Sequence, residues 1–163
     1  MTSATAFAQA WPSKPIKVVV PLTAGSATDV MARIVFDQVS QQVGQPIVVE
    51  NRPGAGNTIG MNAVAKADAD GYTILVHGGT GLAANMWLYK KPPLASVDEV
   101  QVFAAINKQA FMLVVDARRS WKTVADLTAA MKEKGAKATY GASANIGLIM
   151  GALYREHAGL EAV

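Results

Sequence analysis

Residues 16–29 read Ile-Lys-Val-Val-Val-Pro-Leu-Thr-Ala-Gly-Ser-Ala-Thr-Asp, and their pattern decides the fold class. Ile16–Pro21 is a short, largely β-branched run, the pattern of a strand buried on both faces. A loop of small residues follows. Thr28–Val43 then places Val30, Ile34, Val35 and Val39 on one helical stripe, with Met31 beside it as core, and ends at Gly44 as a C-cap. A strand, a small-residue loop and a helix in that order form the opening unit of a parallel α/β sheet.

Outward from this unit the alternation continues. Ile47–Val49 predicts a second strand, and Thr58–Ala67 a short helix with Ile59, Ala63, Val64 and Ala67 turned inward. Asp70-Gly71 turns the chain into a third strand, Tyr72–His77, followed by a glycine loop and a helical turn near Leu82–Tyr89. Lys90–Pro93 breaks the pattern. Val102–Ile106 and Phe111–Val115 read as extended runs where the chain passes from one domain to the next. Thr123-Val-Ala-Asp126 is a capping-box variant that opens a helix to about Lys134. Ala138–Gly141 predicts a strand, Asn145–His157 a helix, and Leu160–Val163 the start of a further strand.

Composition narrows the function. With 51% hydrophobic and 17% charged residues over 163 positions, the chain is too apolar to be disordered. The balance of 15 Lys+Arg and 12 Asp+Glu gives +3, and the basic residues are scattered, so nucleic acid is not expected as a partner. Cysteine is absent, which excludes disulfides, thiolate metal sites and cysteine nucleophiles, and His77 and His157 alone do not suggest a metal centre. Gly71–Tyr89 and Ala138–Tyr154 carry no charged residue, but glycines interrupt both, and each reads as a strand, a loop and a helix start rather than a membrane span. Thr5-Ala-Phe-Ala-Gln-Ala10 has the A-x-A spacing of a secretory cleavage site, so residues 1–10 read as a signal-peptide remnant.

In a parallel sheet, ligands bind beyond the carboxyl ends of the strands. Three loops qualify: Leu22–Ala27, His77–Gly81 and Ala142–Asn145. Their backbone N–H groups and the dipoles of the following helices favour an anion. Gly54-Ala-Gly56-Asn-Thr-Ile-Gly60 has one residue too many for G-x-G-x-x-G and reads as a structural turn. Gly141-Ala-Ser143-Ala-Asn145 misses the nucleophile elbow by its last residue, and no base is evident for Ser143. Its hydroxyl suits a bound carboxylate and a helix N-cap equally. Asp29 caps the helix or holds the loop before it rather than touching an anion. His77 and His157 read as a strand-end and a surface-helix residue. A competing reading is a flavodoxin-like phosphate- or cofactor-binding α/β domain, with Thr23–Thr28 as the phosphate cradle. A bound flavin would colour such a protein yellow.

Several blocks carry a resemblance: Trp11-Pro-Ser-Lys-Pro-Ile16, Pro21-Leu-Thr-Ala-Gly-Ser-Ala-Thr-Asp29, and Gly44-Gln-Pro-Ile-Val-Val-Glu-Asn-Arg-Pro-Gly-Ala-Gly-Asn-Thr-Ile-Gly60. Ala69-Asp-Gly-Tyr-Thr-Ile-Leu75 and Asn85…Leu88-Tyr89-Lys90 extend it. Together they resemble the Bug family, the TctC-type solute-binding proteins of tripartite tricarboxylate transporters. The resemblance implies a periplasmic binding protein type II-like α/β fold, with parallel sheets flanked by helices in two lobes. The second lobe is incomplete here, because the family is about twice as long. On that pattern residues 11–103 belong to the first lobe, 104–115 to crossover strands and 116–163 to the start of the second lobe. It further implies a periplasmic protein that is not an enzyme, uses no cofactor or metal, and presents a small organic carboxylate to a membrane permease.

The ligand residues the resemblance implies are Leu22, Thr23, Ala24, Gly25 and Ser26, with Thr28 and Asp29 behind them. Gly78, Gly79, Thr80 and Asn85 would form the cleft wall, and Ala142, Ser143, Ala144, Asn145 and Ile146 the contribution of the second lobe. The family usually has Gly-Gly where this chain has Gly25-Ser26. An incomplete sheet has open edges. That predicts a homodimer, in one form domain-swapped, or a marginally stable monomer, and weak or absent binding if two full lobes clamp the ligand.

Overall fold

The computed structural model describes residues 11–92, 94, 96–142 and 145–161. The signal-peptide reading of residues 1–10, and Pro93, Ser143, Ala144, Ala162 and Val163, lie outside the described residues. The chain divides between Ile106 and Asn107 into two compact units.

The first unit follows the predicted alternation: β1 (Ile16–Val20), α1 (Ala27–Val43), β2 (Ile47–Asn51), α2 (Thr58–Ala65), β3 (Thr73–Leu75) and α3 (Gly79–Leu88). The strands are all parallel, in the order β2-β1-β3, with Val18 opposite both Val49 and Ile74. Val18, Val19 and Val20 are all buried. Successive strand residues point to opposite faces, so β1 is covered on both. Right-handed crossovers put α1 and α2 on opposite faces, because β2 and β3 flank β1 on opposite sides. Val18, Val20, Ala32, Phe36 and Val76 form the core cluster, with Leu22, Val39, Ile47, Val49, Ile74 and Ile106 packed against it. Each fully buried valine of β1 contributes roughly 1.5–3 kcal/mol relative to an exposed one.

α1 ends at Gly44 in a left-handed C-cap, as its sequence predicts. Its buried face agrees with the predicted stripe at Val35 and Val39, which are half-buried, and departs from it in the first two turns. Val30 and Ile34 are 45% and 57% exposed, whereas Asp29, Ala32 and Phe36 are buried. The helix is turned by roughly a third of a revolution from the orientation its branched residues suggest. The polar bonds made by Asp29, described below, fix that rotation. α2 likewise buries Gly60 and Met61 and leaves Ile59 exposed. Gly60 is required there: a Cβ would lie 2.6 Å from the Pro21 Cβ and 2.9 Å from the Arg52 carbonyl oxygen.

Residues 101–116 hold no regular secondary structure, so the expected crossover strands are not formed as strands. Val102, Phe103, Met112 and Val114 are each more than two-thirds exposed. A strand needs neighbouring backbone to satisfy its N–H and C=O groups, and none of the described residues supplies it. In the second unit α4 (Val124–Lys134) and α5 (Asn145–Ala158) form as predicted. Thr123 and Asp126 make the full reciprocal capping box. Ala138–Gly141 is not a strand; it follows a 3-10 turn at Gly135–Lys137. Ala138 and Leu160 are instead the buried centre of a small cluster, with Met131, Tyr154 and Ala158 against them. Among the described residues no helix is long and apolar enough to cross a membrane.

Candidate functional site

With the order β2-β1-β3, the chain leaves β1 toward one edge of the sheet and later returns past it to the other. The crevice at such a switch lies beyond the carboxyl ends of β1 and β3. Two of the three sequence-predicted loops meet that description, the segments after Val20 and after Leu75.

The first loop is held from within. Ser26 is the N-cap of α1; its hydroxyl accepts from the Asp29 N–H at 3.3 Å, and its carbonyl accepts from the Val30 N–H at 2.9 Å. Its own N–H donates to the Thr23 carbonyl at 3.2 Å. Gly25 has φ +81°, and its N–H donates to Asp29 Oδ2 at 2.8 Å. The other carboxylate oxygen accepts from Asn51 Nδ2 at 2.9 Å and from Arg33 Nε at 3.0 Å. Asn51 Nδ2 also donates to the Leu22 carbonyl at 3.1 Å, and Arg33 Nη2 donates to Asn51 Oδ1 at 2.8 Å. The Gly25 amide, then Asn51 and Arg33, hold the Asp29 carboxyl down at about 2. It is ionised and buried, and both oxygens are committed to the protein. Ala27 and Thr28 open α1, so their N–H groups have no carbonyl one turn back. Among the described residues none accepts from either. Thr23, Ala24 and Gly25 are exposed, and Leu22, Ser26 and Thr28 half-buried. The loop therefore offers small side chains and the positive end of a 17-residue helix.

After β3, Gly78 caps α3 without a side-chain hydrogen bond, Gly78 and Gly79 are exposed, and Thr80 is half-buried. Asn85 is fully buried and donates to the Gly56 carbonyl at 3.2 Å, so it ties α3 to the 54–57 turn. His77 packs against Gly81 with both ring nitrogens buried and no partner among the described residues. Burial pushes its imidazole down to about 4. In the second unit, Ala142 is exposed and Asn145 and Ile146, the first residues of α5, are half-buried. A depression of about 400 Å³ at the opposite end of the first unit's sheet is lined by Lys14, Lys17, Lys66, Asp68, Asp70 and Tyr72. Lys14 is already paired there with Asp70 at 2.9 Å. Among the described residues there is no cluster of three or more His, Cys, Asp or Glu that could hold a metal.

The structure thus ties Leu22, Thr23, Gly25, Ser26 and Asp29 into one network, leaves Ala24 and Thr28 outside it, and places Gly78–Thr80 beyond the end of the neighbouring strand. It adds Asn51 and Arg33, which the sequence reading left out. Arg33 lies one helical turn after Asp29, the spacing of an ion pair, and Asn51 closes β2.

A profile of the tripartite tricarboxylate transporter family receptor, TctC, matches residues 31–162. The chain belongs to the TctC family. A UPF0065 protein of Bordetella pertussis is 33% identical over 153 residues, covering 91% of this chain and 47% of that protein. The solved structure of R. palustris Rpa4515 with adipate is 27% identical with a TM-score of 0.74, covering 94% of this chain and 53% of that one. The periplasmic binding protein BugD matches with a TM-score of 0.64 at 27% identity, over 94% of this chain and 52% of its own. This TctC chain therefore spans about half the length of the relatives it matches. Its family is one of periplasmic solute-binding receptors, and its α/β architecture, a parallel sheet flanked by helices, is theirs.

Proposed function

We propose that this chain is the carboxylate-capturing part of a periplasmic TctC receptor, a binding protein rather than an enzyme, which delivers a small organic acid to a membrane permease. The observation that carries the reading is the loop after β1. Asp29 takes up the Gly25 N–H, and the first two amides of α1 remain available to an anion. Leu22–Ser26 and Thr28 would surround one carboxylate of the ligand, with Asp29 behind them and Gly78, Gly79 and Thr80 on the adjoining strand end. Asn85 would act through the 54–57 turn that it holds. Within the second unit, taken by itself, Ala142, Ser143, Ala144, Asn145 and Ile146 are the proposed ligand-contacting segment. The adipate bound by Rpa4515 supports a dicarboxylate. Family membership weighs against the flavodoxin-like reading of the same loop.

The test is a thermal melt of the chain with adipate, citrate, benzoate and 1,6-hexanediol. A ligand that binds only the folded state raises the midpoint by mass action, by about 2.7 kcal/mol of stability at a hundred times Kd. The expected result is a shift with an acid and none with the uncharged diol. No shift with any acid at millimolar concentration would reject carboxylate capture by this chain.

A further inference from the structure

We propose that Asn51 and Arg33 are positioning residues of the carboxylate site: Asn51 locks the shape of the loop, and Arg33 cancels the charge of the carboxylate that holds it. The inference rests on reading the 22–28 loop as the carboxylate seat. Asp29 poses a problem for that seat, because a buried negative charge stands in the first turn of the helix that is to receive an anion. A like charge within about 4–6 Å disfavours a second carboxylate. Arg33 resolves this, with Nε 3.0 Å from Asp29 Oδ1 on the same helix. The pair is locally neutral, so the amides of Ala27 and Thr28 keep their attraction for an anion.

Asn51 does the mechanical part. Its Nδ2 reaches the Leu22 carbonyl at 3.1 Å and Asp29 Oδ1 at 2.9 Å, while its Oδ1 accepts from Arg33 at 2.8 Å. One amide group therefore pins both ends of the loop, its exit from β1 and its entry into α1, to the end of β2. Removing it frees Asp29 to turn, and with it the Gly25 amide.

The experiment uses the whole chain, with amide exchange of Gly25 followed by nuclear magnetic resonance and adipate as the probe. Asn51→Asp keeps the volume but loses both donated bonds. It is expected to speed Gly25 exchange about tenfold or more relative to Val30, a residue bonded within α1. The exchange variant Asp29→Asn/Asn51→Asp restores a donor–acceptor pair between the two positions and is expected to restore much of that protection. Unchanged Gly25 exchange in Asn51→Asp would overturn the positioning role. Arg33→Gln is expected to leave Gly25 protected and to weaken adipate about tenfold at low salt. That loss should shrink as ionic strength rises, because screening relieves repulsion by the bared Asp29. Arg52→Gln, at a half-buried arginine paired with Glu50, is the charge control. A loss in Arg33→Gln that ignores salt, or that Arg52→Gln equals, would overturn the role of Arg33. Failure of the wild-type chain to bind adipate would remove the carboxylate site and the role of Arg33 with it, while the Gly25 readout would still decide Asn51.

Discussion

Two ionisable residues at the carboxyl ends of the strands are held in opposite ways. His77 is half-buried, both its ring nitrogens are shielded from water with no partner among the described residues, and its neutral form is favoured, with a pKa of about 4 against an ordinary 6.5. Between those values the unfolded chain binds a proton that the folded one does not. The stability His77 allows is therefore complete above about pH 6.5 and falls as pH drops toward 4, by about 3 kcal/mol over the window. Urea unfolding at a series of pH values should show this loss, and His77→Leu should flatten it relative to the wild-type chain. An identical pH profile in both proteins would refute the assignment. Asp29 works lower. Its carboxyl is held at about 2 rather than 3.8 by the Gly25 amide, Asn51 and Arg33, so its contribution is present above about pH 4 and is lost as pH falls toward 2. Asp29→Asn should lower the urea midpoint at neutral pH and show less additional loss between pH 4 and 2; a midpoint equal to wild type at pH 7 would argue against the network.

At the scale of elements, close approach and capping set the expected costs. Gly60→Ala drives a Cβ into Pro21 and the Arg52 carbonyl, neither of which can swing away. A loss of about 1–3 kcal/mol is expected, measured by urea unfolding of the first unit. Thr123→Ala removes a full capping box from α4 and should cost about 1 kcal/mol, seen as lower helicity or a lower midpoint in the second unit. These elements were legible because their signals are local. The β-branched run of β1, the Gly44 cap and the Thr123–Asp126 box each lie within one element. The rotation of α1 was not legible, because it follows from a buried Asp29 whose partners come from a loop and from β2. Asn51 escaped notice for the same reason: its amide finds Leu22, Asp29 and Arg33 only once β1 and β2 are side by side. The runs at 102–106, 111–115 and 138–141 have strand composition but no ladder, and composition alone cannot supply hydrogen-bond partners.

At the scale of the whole molecule, burial is uneven. In the first unit, β1 has hydrogen-bonded neighbours on both sides and three fully buried valines in a row. In the second, Ala138 and Leu160 are the buried residues of the cluster, and Leu148, Met150 and Leu153 of α5 are 51%, 53% and 44% exposed. Each large apolar side chain left in water forgoes roughly 1.5–3 kcal/mol of burial, and a unit of this size has little else to set against chain entropy. Local opening of the second unit should therefore need much less free energy than opening of the sheet. Hydrogen exchange read by mass spectrometry is expected to show peptides from β1 and β2 exchanging at least about a hundredfold more slowly than those covering Val124–Ala158. That ratio corresponds to a difference of about 2.7 kcal/mol in opening free energy. Equal protection in both regions would mean that the two units unfold as one, and that the exposed apolar face of α5 does not mark a weakly held part of the chain.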